Sequence, residues 1–305
     1  MRKLFFIIGF FLVATGFTKQ ELINNTDVAV KRSLKTGLTQ VKQNQNDLKN
    51  KLFEAVKVND IEQVKFLIEK GANVNWMDWA YNTPLMCASF RGFTEMASLL
   101  IEKGAKVDAV NSEGWTALMF AAKNNHYKTI TLLINKGANV EHRSSFSETI
   151  LGIAAQNDAL ESISVLLEKN AKLIEYKGDF SYTPLMYAVE AGKERAVEFL
   201  IAKGAAVNAE DEAGQTPLII AASKGHYKIL QILISNYAQL NIQSYYGITA
   251  LIAAAQEGHY NSVEYLLRKG AKVNLKDIDG KTALSYAIRN GHTKTAELLK
   301  SYGAK

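Results

Sequence analysis

The stretch from residue 204 to residue 226 reads GAAVNAEDEAGQTPLIIAASKGH, and its parts recur along most of the chain. Its central phrase, Thr-x-Leu-x-x-Ala, begins at seven threonines that are 33, 33, 34, 33, 33 and 33 residues apart. These are Thr83, Thr116, Thr149, Thr183, Thr216, Thr249 and Thr282. A period this regular predicts an array of similar supersecondary units that bury their apolar faces against one another.

A second phrase, Gly-Ala or a close variant, keeps the same period and occurs eight times. Its positions are 71–72, 104–105, 137–138, 170–171, 204–205, 237–238, 270–271 and 303–304. The endings outnumber the threonines by one, so the extra unit lies at the front. We expect this unit, residues 48–75, to cap the array. The predicted units lie near residues 48–75, 76–108, 109–141, 142–174, 175–208, 209–241, 242–274 and 275–305.

Each unit reads as two helices joined by a turn. A threonine side chain can cap the first free amides of a helix, and Pro84, Pro184 and Pro217 suit its first position. Alanine pairs follow one turn later, where small side chains let neighbouring helices approach closely. Paired leucines such as Leu132 and Leu133 then mark the buried stripe of a second helix. The glycine of the Gly-Ala phrase ends it, because glycine adopts the left-handed conformation at low cost. The predicted fold is therefore an all-α solenoid.

This pattern resembles the ankyrin repeat, whose characteristic phrase is Asp-x-x-Gly-x-Thr-Pro-Leu-His-x-Ala-Ala, then Gly-His, then Gly-Ala-x-Val-Asn. Residues 211–218, 225–226 and 204–208 match it almost completely, and the resemblance covers about residues 48–305. The resemblance implies units stacked at right angles, short loop fingers projecting from a concave face, and protein partners.

The chain departs from the family pattern at two positions of the repeat. The histidine after Thr-Pro-Leu is absent from every unit, so apolar packing must replace its contacts. Its place is taken by Met86, Met119, Gly152, Met186, Ile219, Ile252 and Ser285. The finger glycine is replaced by Tyr81, Ser147 and Ser181, and we expect those three loops to differ from the family's hairpin. The extra residue of the 34-residue spacing lies within 177–180.

The first 16 residues have the pattern of an export signal. Arg2 and Lys3 precede an apolar run over residues 4–13, and Ala14 and Gly16 offer a cleavage point. The apolar run is shorter than the roughly 20 residues that a spanning helix needs. We therefore expect an exported protein, periplasmic or secreted, with no stable membrane insertion after the signal is removed. The alternative is an anchor that is not cleaved. Residues 17–47 read as a polar spacer or an extra helix.

Composition favours none of the classes that depend on charge or on disulfides. The 36 basic and 30 acidic residues among 305 are scattered, so a net charge of +6 predicts a mixed solvated surface rather than a nucleic-acid partner. Cys87 is the single cysteine, which excludes an intramolecular disulfide and makes packing the source of stability. We expect a monomer.

The sequence offers no pattern of a catalytic, cofactor or metal site. Phosphate-binding loops, nucleophile elbows and paired-carboxylate motifs are all missing from it. Four histidines share one repeat position, ten residues after the threonine, which places one in each layer rather than several around a metal. They are His126, His226, His259 and His292. His142 lies in a loop without ligand spacing, and Cys87 occupies a position that is apolar in other units. We therefore expect no enzyme and no cofactor.

Large aromatic residues precede the repeat threonines, where a solenoid itself requires none. Aromatic rings and arginine are the residues that protein interfaces favour, so we predict that they bind a partner. Phe90 and Arg91 lie instead at the end of the first helix of their unit, and we expect them to face the same side. The candidate residues are Trp79, Phe90, Arg91, Trp115, Phe146, Phe180, Tyr182, Tyr245 and Tyr246. Individual rings could instead fold back over the edge of the solenoid.

Two functions follow from this reading. The first is an exported, non-catalytic protein–protein interaction scaffold that binds a protein partner through its finger loops and concave face. The alternative is a structural or tethering component of the cell envelope, in which segment 19–47 anchors the array and positive charge meets an anionic surface. Positive charge clustered on one face would favour the second function, and an aromatic strip the first.

Overall fold

The computed structural model describes residues 19–305 and contains sixteen α-helices and no β-strand within that range. The predicted export signal at residues 1–16 lies outside the described residues. Contacts divide the chain into two compact units. One contains the described residues up to Ala55 together with Glu62–Asn73, and the other, here called the main array, contains Val56–Ile61 and Val74–Lys305.

The front of the chain consists of two helices, α1 (Lys19–Lys57) and α2 (Ile61–Glu69). Residues 31–36 and 38–47 of α1 are exposed almost throughout, whereas Leu52 and Phe53 are buried further along the same helix. The boundary predicted between residues 47 and 48 therefore falls inside one continuous helix. None of the helices in the described part of the chain is both long and apolar enough to cross a membrane.

The main array consists of seven helix pairs, one for each repeat threonine. The first helices of the pairs are α3 (Pro84–Arg91), α5 (Ala117–Lys123), α7 (Ile150–Gln156), α9 (Pro184–Glu190), α11 (Pro217–Lys224), α13 (Ala250–Gln256) and α15 (Ala283–Arg289). The second helices are α4 (Thr94–Glu102), α6 (Tyr127–Asn135), α8 (Leu160–Lys169), α10 (Glu194–Ala202), α12 (Tyr227–Ser235), α14 (Tyr260–Arg268) and α16 (Thr293–Ser301). Two short 3₁₀ helices, Ala171–Glu175 and Asp179–Ser181, lie between α8 and α9.

Threonine starts every first helix, as predicted. Each of the seven side chains accepts a hydrogen bond from the amide three residues later, at 3.1–3.4 Å, which satisfies one of the free donors of the first turn. The alanines that follow are buried: Ala121, Ala122, Ala154 and Ala155 have no accessible surface. Adjacent first helices pack on one another through these small side chains.

The four repeat histidines connect neighbouring units. Each Nε2 atom lies 2.9–3.3 Å from the carbonyl oxygen of a residue at the end of the preceding first helix, where helical carbonyls otherwise lack a partner. The imidazoles pack against the glycines that end those helices, and a Cβ atom on Gly92 would lie 2.4 Å from the His126 ring. The shared position therefore has a structural explanation, with one histidine in each of four interfaces between units.

Tyr237 is a strained position at the end of α12. Its φ is +67°, where the corresponding Gly204 and Gly270 have +93° and +91°. The left-handed conformation brings Cβ too close to the following carbonyl oxygen, at a cost of roughly 1–2 kcal/mol. Because the ring is 89% exposed, little packing offsets that cost.

Tyr237→Gly is therefore expected to raise the free energy of unfolding by about 1 kcal/mol, measured by urea denaturation. Asn236→Gly is the matched control: the φ of Asn236 is −103°, so glycine there should destabilise the protein. Destabilisation by Tyr237→Gly as well would show that the exposed ring contributes packing to the native state.

Candidate protein-binding surface

The five residues before each repeat threonine form a loop that we call a finger and name by its threonine. In most fingers a polar side chain at the first position accepts hydrogen bonds from two amides of the same loop. Asp211 Oδ1, for example, accepts from the amides of Ala213 at 2.8 Å and Gln215 at 2.7 Å. The corresponding acceptors are Asp78, Asn111, Ser144 and Asp277. The fingers are thus held in fixed turns.

Backbone hydrogen bonds also join five of the six pairs of neighbouring finger tips. The amide of Tyr245 donates to the carbonyl of Ala213 at 2.9 Å, and four other pairs of tips repeat this bond. The sequence of bonds is interrupted between the Thr149 finger (144–148) and the Thr183 finger (178–182). There the amide of Asp179 donates instead to the hydroxyl of Tyr187 at 3.1 Å. This interruption coincides with the extra residue and with the two 3₁₀ helices.

The fingers that lack glycine were expected to depart from the hairpin of the others. For Tyr81 and Ser147 this expectation is wrong: their φ values of +63° and +56° are close to the +74° of Gly114. Their amides also make the same turn bond to the first finger residue. The hydrogen bonds to the first finger residue fix the turn. Tyr81 and Ser147 therefore adopt the left-handed backbone conformation although they are not glycine. Only the Thr183 finger differs, since residues 179–181 form a 3₁₀ turn.

Most of the candidate aromatic residues stand exposed on the fingers. The exposed fractions are 93% for Trp79, 67% for Tyr245, 65% for Phe146, 60% for Tyr246 and 59% for Phe180. At the end of α3, Phe90 is 46% exposed and Arg91 is exposed. The ring of Tyr182 is half-buried and packs edge-on against Tyr187, with 5.5 Å between the ring centroids.

The expectation that Trp115 stands exposed on a finger is wrong. Its side chain is 7% exposed and packs with Met119 and Ile153 in the core. The indole Nε1 donates to Glu148 Oε2 in the next finger at 3.0 Å. Lys123 Nζ lies over the ring, 5.2 Å from its centre. Trp115 therefore holds two units together and is a structural residue.

Family comparison agrees with this architecture. A family model described as ankyrin repeats (3 copies) matches residues 52–144, 151–244, 204–277 and 241–305. The chain belongs to the ankyrin-repeat family. Ankyrin repeats are generally protein–protein interaction scaffolds and are typically non-catalytic. No curated protein matches this chain in a sequence comparison.

The ankyrin array gathers three of the candidates, Phe146, Phe180 and Tyr182, around one cleft of about 370 Å³. Tyr246 lines a smaller cleft of about 170 Å³ between the next two units. Phe90 instead packs edge-on against Phe120, with centroids 6.1 Å apart, on the side of the Trp115 cluster. The candidates therefore do not form one continuous patch, and the larger of these two clefts is the place where three of the nine meet.

The sequence interpretation missed Tyr187 and the acidic residues of this cleft. Tyr187 occupies the helix position of Phe120 and Ile153, so it reads as a packing residue. Burial and the neighbouring carboxylates of Glu190 and Asp211 raise the pKa of Tyr182 to about 12. Its hydroxyl is therefore neutral at any physiological pH, and the surroundings favour a positive rather than a negative partner group.

Cys87 has the environment of a packing residue. It is half-buried, and burial raises the pKa of its thiol, so the reactive thiolate is disfavoured. Among the described residues, no group of three or more histidine, cysteine, aspartate or glutamate side chains could hold a metal ion.

Proposed function

We propose that this ankyrin-repeat protein is an exported, non-catalytic scaffold that binds a protein partner, as a monomer, through the exposed aromatic residues of its fingers and its concave face. The observation that supports this most is the combination of exposed rings with fixed loops. Five finger rings are at least 59% exposed, and the loops that carry them are held by side-chain and backbone hydrogen bonds.

A fixed loop that presents an aromatic ring is suited to binding for a physical reason. Ordering a mobile loop on association costs binding free energy, whereas a loop that is already ordered loses little. Exposure of an indole or phenyl ring to water is unfavourable, and such rings are typical anchors of protein interfaces. All five side chains are more than half exposed and do not belong to the buried core of the solenoid.

The test is affinity capture with the full chain from the envelope and culture-medium fractions of the source organism, followed by mass spectrometry. We expect a specific protein to be retained by the wild type and lost from a variant with Trp79, Phe146 and Tyr246 all changed to alanine. Retention of the same protein by both chains would contradict finger binding. Turnover of a captured protein or metabolite by the purified chain would contradict a non-catalytic role.

The alternative, a tethering role in the envelope, is favoured by one feature of α1. Leu34, Leu38 and Val41 are about 60% exposed and lie at intervals of four and three residues, on one face of the helix. Lys31, Arg32, Lys35 and Lys42 accompany them, and residues 31–46 include no acidic residue. A basic amphipathic helix of this kind can lie on an anionic membrane surface. Co-sedimentation with anionic vesicles that is lost when Leu34 and Leu38 become serine would support tethering.

Export itself predicts where the mature protein begins. We expect amino-terminal sequencing of the native product to find a chain that starts near Phe17, because the apolar run ends at the small residues Ala14 and Gly16. An intact Met1 on material from the membrane pellet would contradict cleavage.

A further inference from the structure

The cleft between the Thr149 and Thr183 fingers differs from the other spaces between fingers. It opens where the bond between neighbouring tips is missing, and its volume is about 370 Å³. Its walls combine four rings with three carboxylates. The lining residues are Phe146, Phe180, Tyr182, Tyr187, Glu148, Asp179 and Glu190.

The acidic residues of the cleft are not fully engaged by the chain's own donors. Both side-chain bonds of Glu148, from Trp115 Nε1 at 3.0 Å and Ser144 Oγ at 2.9 Å, end on Oε2 and leave Oε1 available. The carboxylate of Glu190 makes one ion pair, with the half-exposed Lys224, whose Nζ lies 3.2 Å away. No basic side chain lines the cleft. The cleft therefore has net negative charge beside aromatic faces.

Two other repeats show what the chain places at the equivalent positions. Where Trp115 precedes the repeat threonine, Lys123 lies over its ring at 5.2 Å. Near the carboxyl end, Lys281 lies over the ring of Tyr286 at 5.8 Å. In the Thr183 unit, the position of Lys123 holds Glu190 and that of Lys281 holds Tyr182.

The Thr183 unit thus keeps the aromatic rings but replaces both lysines, one by a carboxylate. Within the described part of the chain, no lysine or arginine lies over the rings of Phe146, Phe180, Tyr182 or Tyr187. A cation from another molecule could occupy the place over the rings that a lysine of this chain occupies in the other two units.

We propose that this cleft binds an arginine side chain of the protein partner. A guanidinium group is flat, stacks on aromatic rings and carries five N–H donors in a plane, so it can contact a ring face and two carboxylates together. An ammonium group is more strongly hydrated and lacks the flat face. This inference rests on the proposed function, since it names the chemistry of one partner residue.

The test uses the full chain with ¹³C-labelled tyrosine and phenylalanine and titrates it with the peptide acetyl-Gly-Arg-Gly-amide, followed by NMR. We expect saturable shifts of Phe146, Tyr182 and Tyr187. A peptide with citrulline in place of arginine should bind at least about tenfold more weakly, and a peptide with lysine at least about threefold more weakly. Glu190→Lys places a lysine at the repeat position that Lys123 occupies in its own unit. This variant should bind the arginine peptide at least about tenfold more weakly.

Glu113→Lys is the matched control, because it makes the same charge change on an exposed finger outside the cleft and should leave peptide binding unchanged. Three results would overturn the inference: no saturable shift at about 10 mM peptide, equal binding of the citrulline peptide, or an unchanged affinity of Glu190→Lys. These outcomes leave the proposed function intact if the wild type still captures a protein. If no protein is captured but the arginine peptide binds, the proposed function is contradicted and the arginine-binding cleft is supported.

Discussion

Replacing Trp115 by alanine is expected to lower the free energy of unfolding by about 3–5 kcal/mol, the usual cost of removing a large buried side chain and leaving a cavity. The indole is 7% exposed and packs with Met119 and Ile153. Its removal also leaves Glu148 without the Nε1–H donor that binds it at 3.0 Å. The loss therefore combines a cavity with a broken hydrogen bond between two units.

Trp79→Ala is the matched control for this measurement. Trp79 occupies another finger and is 93% exposed, so its truncation should change stability by no more than about 0.5 kcal/mol. Urea denaturation should be followed by circular dichroism, because the tryptophan fluorescence of each variant differs from that of the wild type. Equal losses in the two variants would contradict the assignment of Trp115 to the core.

The repeat architecture could be predicted from the sequence because one physical requirement is imposed seven times. Each unit needs a helix start, a narrow helix face and a helix end, and threonine, paired alanine and glycine supply them in the same order. Thr149 shows the strength of this pattern, since it caps α7 without a following proline. Agreement between seven copies removes the ambiguity that a single helix pattern would leave.

The direction of a finger side chain could not be predicted in the same way. Trp115 lies immediately before its threonine and is buried, whereas Trp79 lies four residues before its own and is exposed. The position before the threonine holds Asn82, Glu148 and Ile248 in other units, all half-buried. Because polar and apolar residues both occur at this position, the sequence does not indicate that it is buried. The sequence does show that this position lies closer to the threonine than the exposed tips do.

The acidic cleft was also beyond the reach of the repeat pattern. The 34-residue spacing indicated where one unit departs from the others, but it could not show that the hydrogen bond between neighbouring tips is missing there. At that place the Asp179 amide donates to the Tyr187 hydroxyl, a contact that no other unit in the described part of the chain makes. The sequence shows where a unit departs from the repeat, but the local structure there depends on side-chain packing.

Partner binding is expected to depend on the exposed finger rings and not on the histidines or Cys87. Truncating a true anchor among Trp79, Phe180 and Tyr246 to alanine should cost at least about 2 kcal/mol of binding free energy, which is roughly thirtyfold in Kd. The ring contributes area that is desolvated only in the complex. Titration of the captured partner against each variant measures the effect, and circular dichroism checks that folding is intact.

Ile278→Ala is the control within the same class of position, because Ile278 stands on the Thr282 finger, is 69% exposed and has no aromatic ring. It should bind within about twofold of the wild type. If all three aromatic variants also bind like the wild type, while Lys-to-Glu changes within residues 31–51 abolish binding, finger recognition is contradicted and α1 holds the partner. The two sets of residues lie on different elements, α1 and the finger loops, so each result identifies one binding surface.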